Sequence, residues 1–406
     1  MIKQQTWLDE LRQQAIQEYS VLPLPKADKT QIKNWEFEAL KLNENTQKIE
    51  KGIPTSISHL VNLKDENVII IQDGVVVYQK LSVNFEGVII SSIQEAITHH
   101  EAQVKPYFGK VIPFQTNRLT ALNLHYMNSG LFINIPKNKV IEQTLTVFFI
   151  QEKQSLMNHN LIVMNQGSQL KYIENYISQK NAIINLNTEV VIGENAQLDL
   201  ATMAHLNSET VVYECKKTKI ERNGRLVGSQ GALSDGNVIN ENLVSLVGSG
   251  ASAELKTVAI SKHTQKQNLT IEIEHLAPYT EGNIVNHGIS IDEAQLTFNG
   301  IGKIQRGMHG SNAQQSSRAM ILSEGARADA NPVLLIDEYD VKAGHAAGVG
   351  KIDEEQLYYL MSRGLSRREA ETLIIHGFLM PFINEIKNEA IQNELMKLIQ
   401  KKLETR

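Results

Sequence analysis

Asn195-Ala-Gln-Leu198 is one of six similar short stretches, with Gly167-Ser-Gln-Leu170, Asn223-Gly-Arg-Leu226, Ser252-Ala-Glu-Leu255, Glu293-Ala-Gln-Leu296 and Gly325-Ala-Arg-Ala328. Each is a polar turn, then a small or polar pair, then an apolar residue. Taken at the last residue of each in chain order, the steps are 28, 28, 29, 41 and 32. From about residue 130 to 345 the sequence between these turns alternates apolar with polar and is rich in Val, Ile, Thr and Asn. That is strand periodicity, and no helical face of any length interrupts it. A near-constant step joined to strand-like sequence predicts a β-solenoid, because each coil leaves an edge that only the next coil can satisfy. Proline is scarce in this region, as a hydrogen-bonded ladder requires. The competing architecture is a β-sandwich whose turns resemble one another by chance.

Upstream, residues 1 to about 50 read as helical, with Leu8, Leu11, Ala15 and Tyr19 on one face until Pro23 and Pro25 end the run. Trp35 and Phe37 then open an apolar patch. In VIIIQDGVVVY (68–78) two β-branched runs flank Asp73-Gly74, which predicts a hairpin with a tight turn. GVIISSIQEAITHH (87–100) predicts a strand followed by a helix.

Downstream the pattern is helical again. Asp353-Glu-Glu-Gln356 caps a helix predicted to reach Gly364, and the capping box Ser366-Arg-Arg-Glu369 opens a second, carrying Ala370, Leu373 and Ile374 to Gly377. A third is predicted from near Pro381 to the charged end. With flanking acid and no basic recognition face, the first two read as a protein-docking element rather than a DNA reader.

The 406 residues suit two or three structural units. Hydrophobic residues at 42% and charged residues at 21% exclude wholesale disorder. A net charge of −5 argues against a dedicated nucleic-acid binder. No uninterrupted apolar run is long enough for a membrane span, and MIKQQTWLDELRQQ lacks the apolar core of a secretory signal, so a cytoplasmic location is expected. The single cysteine, Cys215, excludes an intrachain disulfide and every Cys-pair zinc site. Nor can this chain alone supply four thiolates to an iron–sulfur cluster.

Candidate chemical groups are few. Gly344-His-Ala-Ala-Gly-Val-Gly-Lys351 looks like a phosphate-binding loop but has one residue too many before Gly350-Lys351, and Ile352 stands where Ser or Thr would bind magnesium. This chain is therefore not expected to be an ATPase. His263, His275 and His287 recur at a step of twelve, which is not the coil step, and no carboxylate accompanies them in a metal-binding spacing, so they read as structural. His345 differs, standing near Asp340 among small residues that leave room for something to approach. Lys216 and Lys217 follow Cys215, yet a buried, inert thiol is the expectation. No nucleophile elbow, zinc helix or convincing carboxylate pair is present, so catalysis is not expected.

Asp340-Val-Lys-Ala-Gly-His345-Ala-Ala-Gly-Val-Gly-Lys-Ile-Asp353, followed by Gln356-Leu-Tyr-Tyr-Leu360 and Ser362-Arg-Gly-Leu365, resembles the C-terminal signature of the SufB/SufD scaffold family. Ala121-Leu-Asn123 with Gly130, Phe298-Asn-Gly300, Ala313-Gln-Gln315, Leu322-Ser323 and the Trp35 segment agree with it, in order along nearly the whole chain. Length and the missing SufB-type cysteines make it most similar to the SufD branch. The resemblance implies a right-handed parallel β-helix core between helical ends, divided here as 1–110, a helical and small α/β region; 111–345, the β-helix; and 346–406, an ATPase-docking helical subdomain. It further implies a non-catalytic scaffold that pairs with a SufB-type paralogue through its last coils and docks a SufC-type ABC ATPase. A transient iron–sulfur cluster would form at the SufB junction. His345 matches the histidine proposed as a ligand there, although Ala343 stands where relatives often carry a cysteine. Gln356, Tyr359, Arg363, Gly364, Leu373 and Phe378 are the expected docking residues for the ATPase. Some relatives' complexes associate with reduced flavin, but nothing in this chain identifies a flavin site. The rival functions are a polysaccharide-acting solenoid enzyme and a homodimeric scaffold of the same family.

Overall fold

The computed structural model describes residues 7–40, 49–58, 60, 67–178, 180–384 and 389–404. From Leu131 to Lys351 the strands pair in parallel with one another, and successive strands alternate between two sheets, so that each coil gives one strand to each. The result is a flattened β-solenoid of about eight coils. Its ten-stranded sheet runs from a hairpin, Val68–Gln72 with Val75–Lys80, to the strand Lys342–Lys351. Its nine-stranded sheet runs from Ile89–Ser92 to Arg327–Ile336. Inward residues of both sheets, among them Leu170, Leu198, Leu226, Ile184, Val212 and Ile271, form one continuous core.

The repeat is more regular in space than in sequence. Residues 170, 198, 226, 253, 282, 313 and 343 stack in one column of the ten-stranded sheet. Leu226 therefore pairs with Ala253 and not with Leu255, and Leu296 and Ala328 belong to the other sheet, where they pair with each other. The step of 41 marks the point at which the sequence motif changes sheets. Three residues before each column position from 170 to 313 the chain turns a corner in the left-handed region: Gly167, Asn195, Asn223, Gly250, Tyr279 and Gly310 all have positive φ. Asn and Gly tolerate that conformation; Tyr279, at φ 58°, is the strained member.

The N-terminal unit covers the outer face of the nine-stranded sheet. Its helix Trp7–Glu18 ends in a short 3-10 turn, and residues 22–40 are irregular rather than helical; residues 1–6 and 41–48 lie outside the described ones. The Asp73-Gly74 hairpin forms as its sequence predicts, as does the strand then helix of residues 87–100, whose helix opens on a Ser92–Glu95 capping box. The unit is anchored by Glu189, whose carboxylate accepts hydrogen bonds from the backbone N–H groups of Gly109 (2.7 Å), Val111 (2.8 Å) and Ile112 (3.0 Å). His159 lies 2.8 Å from the same carboxylate and stacks on Phe108.

The C-terminal helices Glu354–Ser362, Arg367–Asn384 and Glu389–Glu404 cover part of the outer face of the ten-stranded sheet. The middle helix runs through Gly377 and Pro381 to Asn384, and the third is described from Glu389, so Gly377 is no stop signal. Leu379, Phe382, Leu395 and Ile399 pack against Ala201, Met203, Val258 and Ile289. Lys402, fully buried, donates to the carbonyls of Leu233 (3.1 Å) and Ser234 and sits 3.1 Å from Asp235. Among the described residues no helix is long and apolar enough to cross a membrane.

Candidate functional site

The strands Arg327–Ile336 and Lys342–Lys351 form the last coil, and each has a hydrogen-bonded neighbour on one side only. Gly344–Lys351, which reads as a loop, is strand. An edge strand with no covering layer needs no alternation of apolar and polar residues, so its sequence carries no strand signal. Small residues predominate, and a side chain at Gly348 or Gly350 would meet nothing within 4 Å. At Gly344 a Cβ would press on Gln314, 2.7 Å from its Oε1.

His345 lies in register with Gln315, between Ala343 on Ala313 and Ala347 on Ser317. It thus stands on the face that in every earlier coil points into the core. No coil follows, so this face is exposed. Val349 (43% exposed) shares this face, whereas Val333 (37%) and Leu335 (52%) are exposed apolar side chains on the outer face of the coil's other strand. The turn between the two strands is held by Glu338, which accepts from the N–H groups of Gly307 (2.7 Å) and Tyr339 (2.8 Å). Those hydrogen bonds keep its carboxyl below the usual carboxylate range. Among the described residues no group of three or more His, Cys, Asp or Glu side chains is positioned to hold a metal. His345 can offer one imidazole and would need its co-ligands from elsewhere.

Cys215 stands far from this coil. It lies on the outer face of the nine-stranded sheet beneath the N-terminal unit, packed with Ile32, Phe37, Tyr213 and Ile239. Burial, with Glu241 adding to it and Lys217 opposing, pushes the thiol up to about 12, so it is an inert core residue. The other histidines are structural too. His275 is buried, its Nδ1 2.7 Å from the Thr280 hydroxyl, and His263 lies 3.2 Å from Asp292 in an exposed turn. His309 meets the ring of Tyr279 edge-on.

On the C-terminal helices the expected docking residues divide. Asp353 caps the first helix through the N–H groups of Glu355 (2.9 Å) and Gln356 (3.2 Å), and Leu357 is turned inward. That leaves Gln356, Tyr358 and Tyr359 exposed, the Arg363 guanidinium lying 5.2 Å from the centre of the Tyr359 ring. Gly364, at φ 100°, ends this helix, and Leu373 is 52% exposed on the next. Phe378 points the other way. It stacks on His287 at 5.1 Å, beside Phe382 at 4.9 Å, and so fastens the helices to the solenoid instead of facing outward. Burial there, with Arg318 nearby, lowers the His287 pKa to about 4.

Residues 1–147 match the family model described as the SufBD protein N-terminal region, and residues 148–378 match that of the SUF system FeS cluster assembly SufBD core domain. The iron–sulfur cluster assembly protein SufD of Bacillus subtilis is 38% identical, over 98% of this chain and 94% of its own length. A SufBD family protein of Staphylococcus saprophyticus is 25% identical over 98% of this chain and 90% of its own length. One from Staphylococcus haemolyticus is 28% identical over 79% of this chain and 71% of its own.

Proposed function

Since the chain belongs to the SufB/SufD family of iron–sulfur cluster assembly proteins and is most like SufD, we propose that it is a non-catalytic cytoplasmic scaffold subunit. In this reading its last coil pairs with a SufB-type subunit, its C-terminal helices dock a SufC-type ABC ATPase, and His345 lends one ligand to a cluster nascent at the junction. The observation that carries the reading is the uncovered terminal coil, where His345 and Val349 occupy core-facing positions with no further coil above them. Unpaired strand edges seek strands, and a paralogue with the same coil geometry can continue both sheets. With a single buried cysteine in this chain, thiolate ligands would come from the partner, and the nascent cluster is cargo rather than a resident group.

The helix pair supports the second contact. Tyr358, Tyr359, Met361 and Leu373 form an apolar and aromatic exposed set on helices whose opposite side is anchored to the solenoid, the composition of protein-binding surfaces. The homodimeric scaffold draws on the same terminal coil, since a second copy can occupy the free edges when no paralogue is present.

Reconstitution of cluster assembly from this chain, a SufB-type subunit and a SufC-type ATPase tests the ligand role. His345→Ala is expected to leave the complex intact and lower cluster yield. Full yield in an intact complex carrying that substitution would overturn it.

A further inference from the structure

The solenoid's core is not apolar throughout. In the ten-stranded sheet Glu174, Thr202, Gln230, Thr257, Asn286 and Ser317 occupy one register position in six successive coils, all on the inward face and all more than nine-tenths buried. The next position in this column is Ala347, two residues from His345 on the exposed coil. From the nine-stranded sheet Lys216, itself buried, reaches across to Glu174 (2.8 Å) and the Thr202 hydroxyl, with Glu214 at 3.9 Å. Two carboxyls and one ammonium thus share the interior.

The two ends of this column differ in hydrogen bonding. Glu174 is saturated: besides Lys216, Thr202 donates to it at 2.7 Å, Asn160 at 3.2 Å and Tyr176 at 3.3 Å. From there toward the terminal coil, Glu214 Oε1, Asn242 Oδ1, Asn286 Oδ1 and Gln315 Oε1 are buried acceptors that no described residue serves with a donor. Asn242 lies on the rung next to Lys216, and Asn286 donates through Nδ2 to Ser317 while its own oxygen stays unserved. Glycine at position 300 makes room at the far end, since a Cβ there would fall 2.5 Å from Gln315 Oε1. Rungs in a sheet are about 4.8 Å apart, a gap that one water bridges between short polar side chains. Buried polar sites of this kind hold ordered water.

We propose that the bore of the solenoid is a hydrated file, in which water links Glu214 and Lys216 through Asn242 and Asn286 to Ser317, opens at the terminal coil beside His345, and carries protons between the buried carboxyls and that end. A proton leaving the Glu214 carboxyl is handed from water to water, each molecule releasing one proton as it takes up another, so the path needs no oxidant, reductant or further reactant. Burial raises the pKa of the Glu214 carboxyl, with Lys216 opposing the rise and Glu174 adding to it. The alternative is a sealed ladder of side chains with a purely structural role. The inference stands whether or not His345 binds a cluster.

Infrared spectroscopy of the full chain on transfer to heavy water distinguishes the two, the buried protonated-carboxyl band being assigned by its loss in Glu214→Gln. A hydrated file exchanges this band roughly a hundredfold or more faster than the core amides, and Asn286→Leu slows it about tenfold without changing amide exchange. Exchange of the carboxyl together with the core amides overturns the proposal. Water oxygen-17 relaxation dispersion reads the file even if the band is weak or Asn286→Leu does not fold. A long-lived internal-water component that falls in Ser317→Val or Thr257→Val supports the file, and a component unchanged by both substitutions contradicts it.

Discussion

Ile183–Ile192 and Lys342–Lys351 are both ten-residue strands of the same solenoid, and their surroundings are opposite. The first has a neighbour on each side and is buried on both faces, except at Val191; its Glu189 holds the N-terminal unit down. The second has one neighbour and is exposed at all but one position. A solenoid must cover its coils or leave an edge open. Here the early coils carry an anchored cover, and the last carries small residues, exposed apolar side chains and a histidine on its uncovered inner face. The difference separates what holds the fold together from what is left for partners.

The largest effect is expected where the cover is anchored. Glu189→Ala strands three backbone donors and His159 in a buried setting, and should lower the unfolding free energy by about 3 kcal/mol or more. Urea denaturation measures it; a change within ±0.5 kcal/mol would mean that the cover does not depend on this carboxylate. The same division holds within the C-terminal helices. Phe378→Ala should cost about 2–3 kcal/mol of stability, because its ring is packed on His287. Leu373→Asp should leave stability nearly unchanged and weaken ATPase binding by roughly 30-fold or more. Stability loss at Leu373 with unaltered binding would reverse the two assignments.

Acid should loosen the helices from the solenoid. The folded pKa of His287 is about 4, lowered from 6.5 by burial, so the folded state favours the neutral ring. The stability this contributes is present above pH 6.5 and is lost as the pH falls toward 4, with up to one proton taken up on unfolding. His275 is lowered to about 4 in the same sense within the core. His287→Gln should flatten the stability profile in that window, and an unchanged profile would remove His287 as a contributor. The smallest effect is at the strained corner. Tyr279→Asn should raise stability by up to about 1 kcal/mol, since Asn suits positive φ, and a loss would show that the contact of its ring with His309 matters more.

Much of the architecture was legible because its signals are local: strand periodicity, the Asp73-Gly74 turn, the N-cap at Asp353 and the capping box at Ser366. The register after Leu226 was not, because small residues, Ala253, Gly282, Ala313 and Ala343, take over the column that leucines begin. The steadier signal is the left-handed corner three residues earlier, Asn or Gly everywhere from 167 to 310 except Tyr279, and it keeps the step near constant. His345 stood out by its small neighbours and by resemblance, not by strand periodicity, because an uncovered strand has no buried face to betray it. Phe378 looked like a docking residue because only its partner, His287, decides which way the ring turns. The pairing of Glu174 with Lys216 joins residues from two sheets and has no sequence signature at all.

The central claim is that the open last coil is the partner face. Size-exclusion chromatography of this chain with a SufB-type subunit, comparing the wild type with Leu335→Asp/Val349→Asp, addresses it most directly. Both side chains are exposed, so the fold should survive. The account predicts a heterodimer for the wild type and two separate peaks for the variant at the same concentration. A heterodimer of undiminished affinity from the folded variant would contradict it.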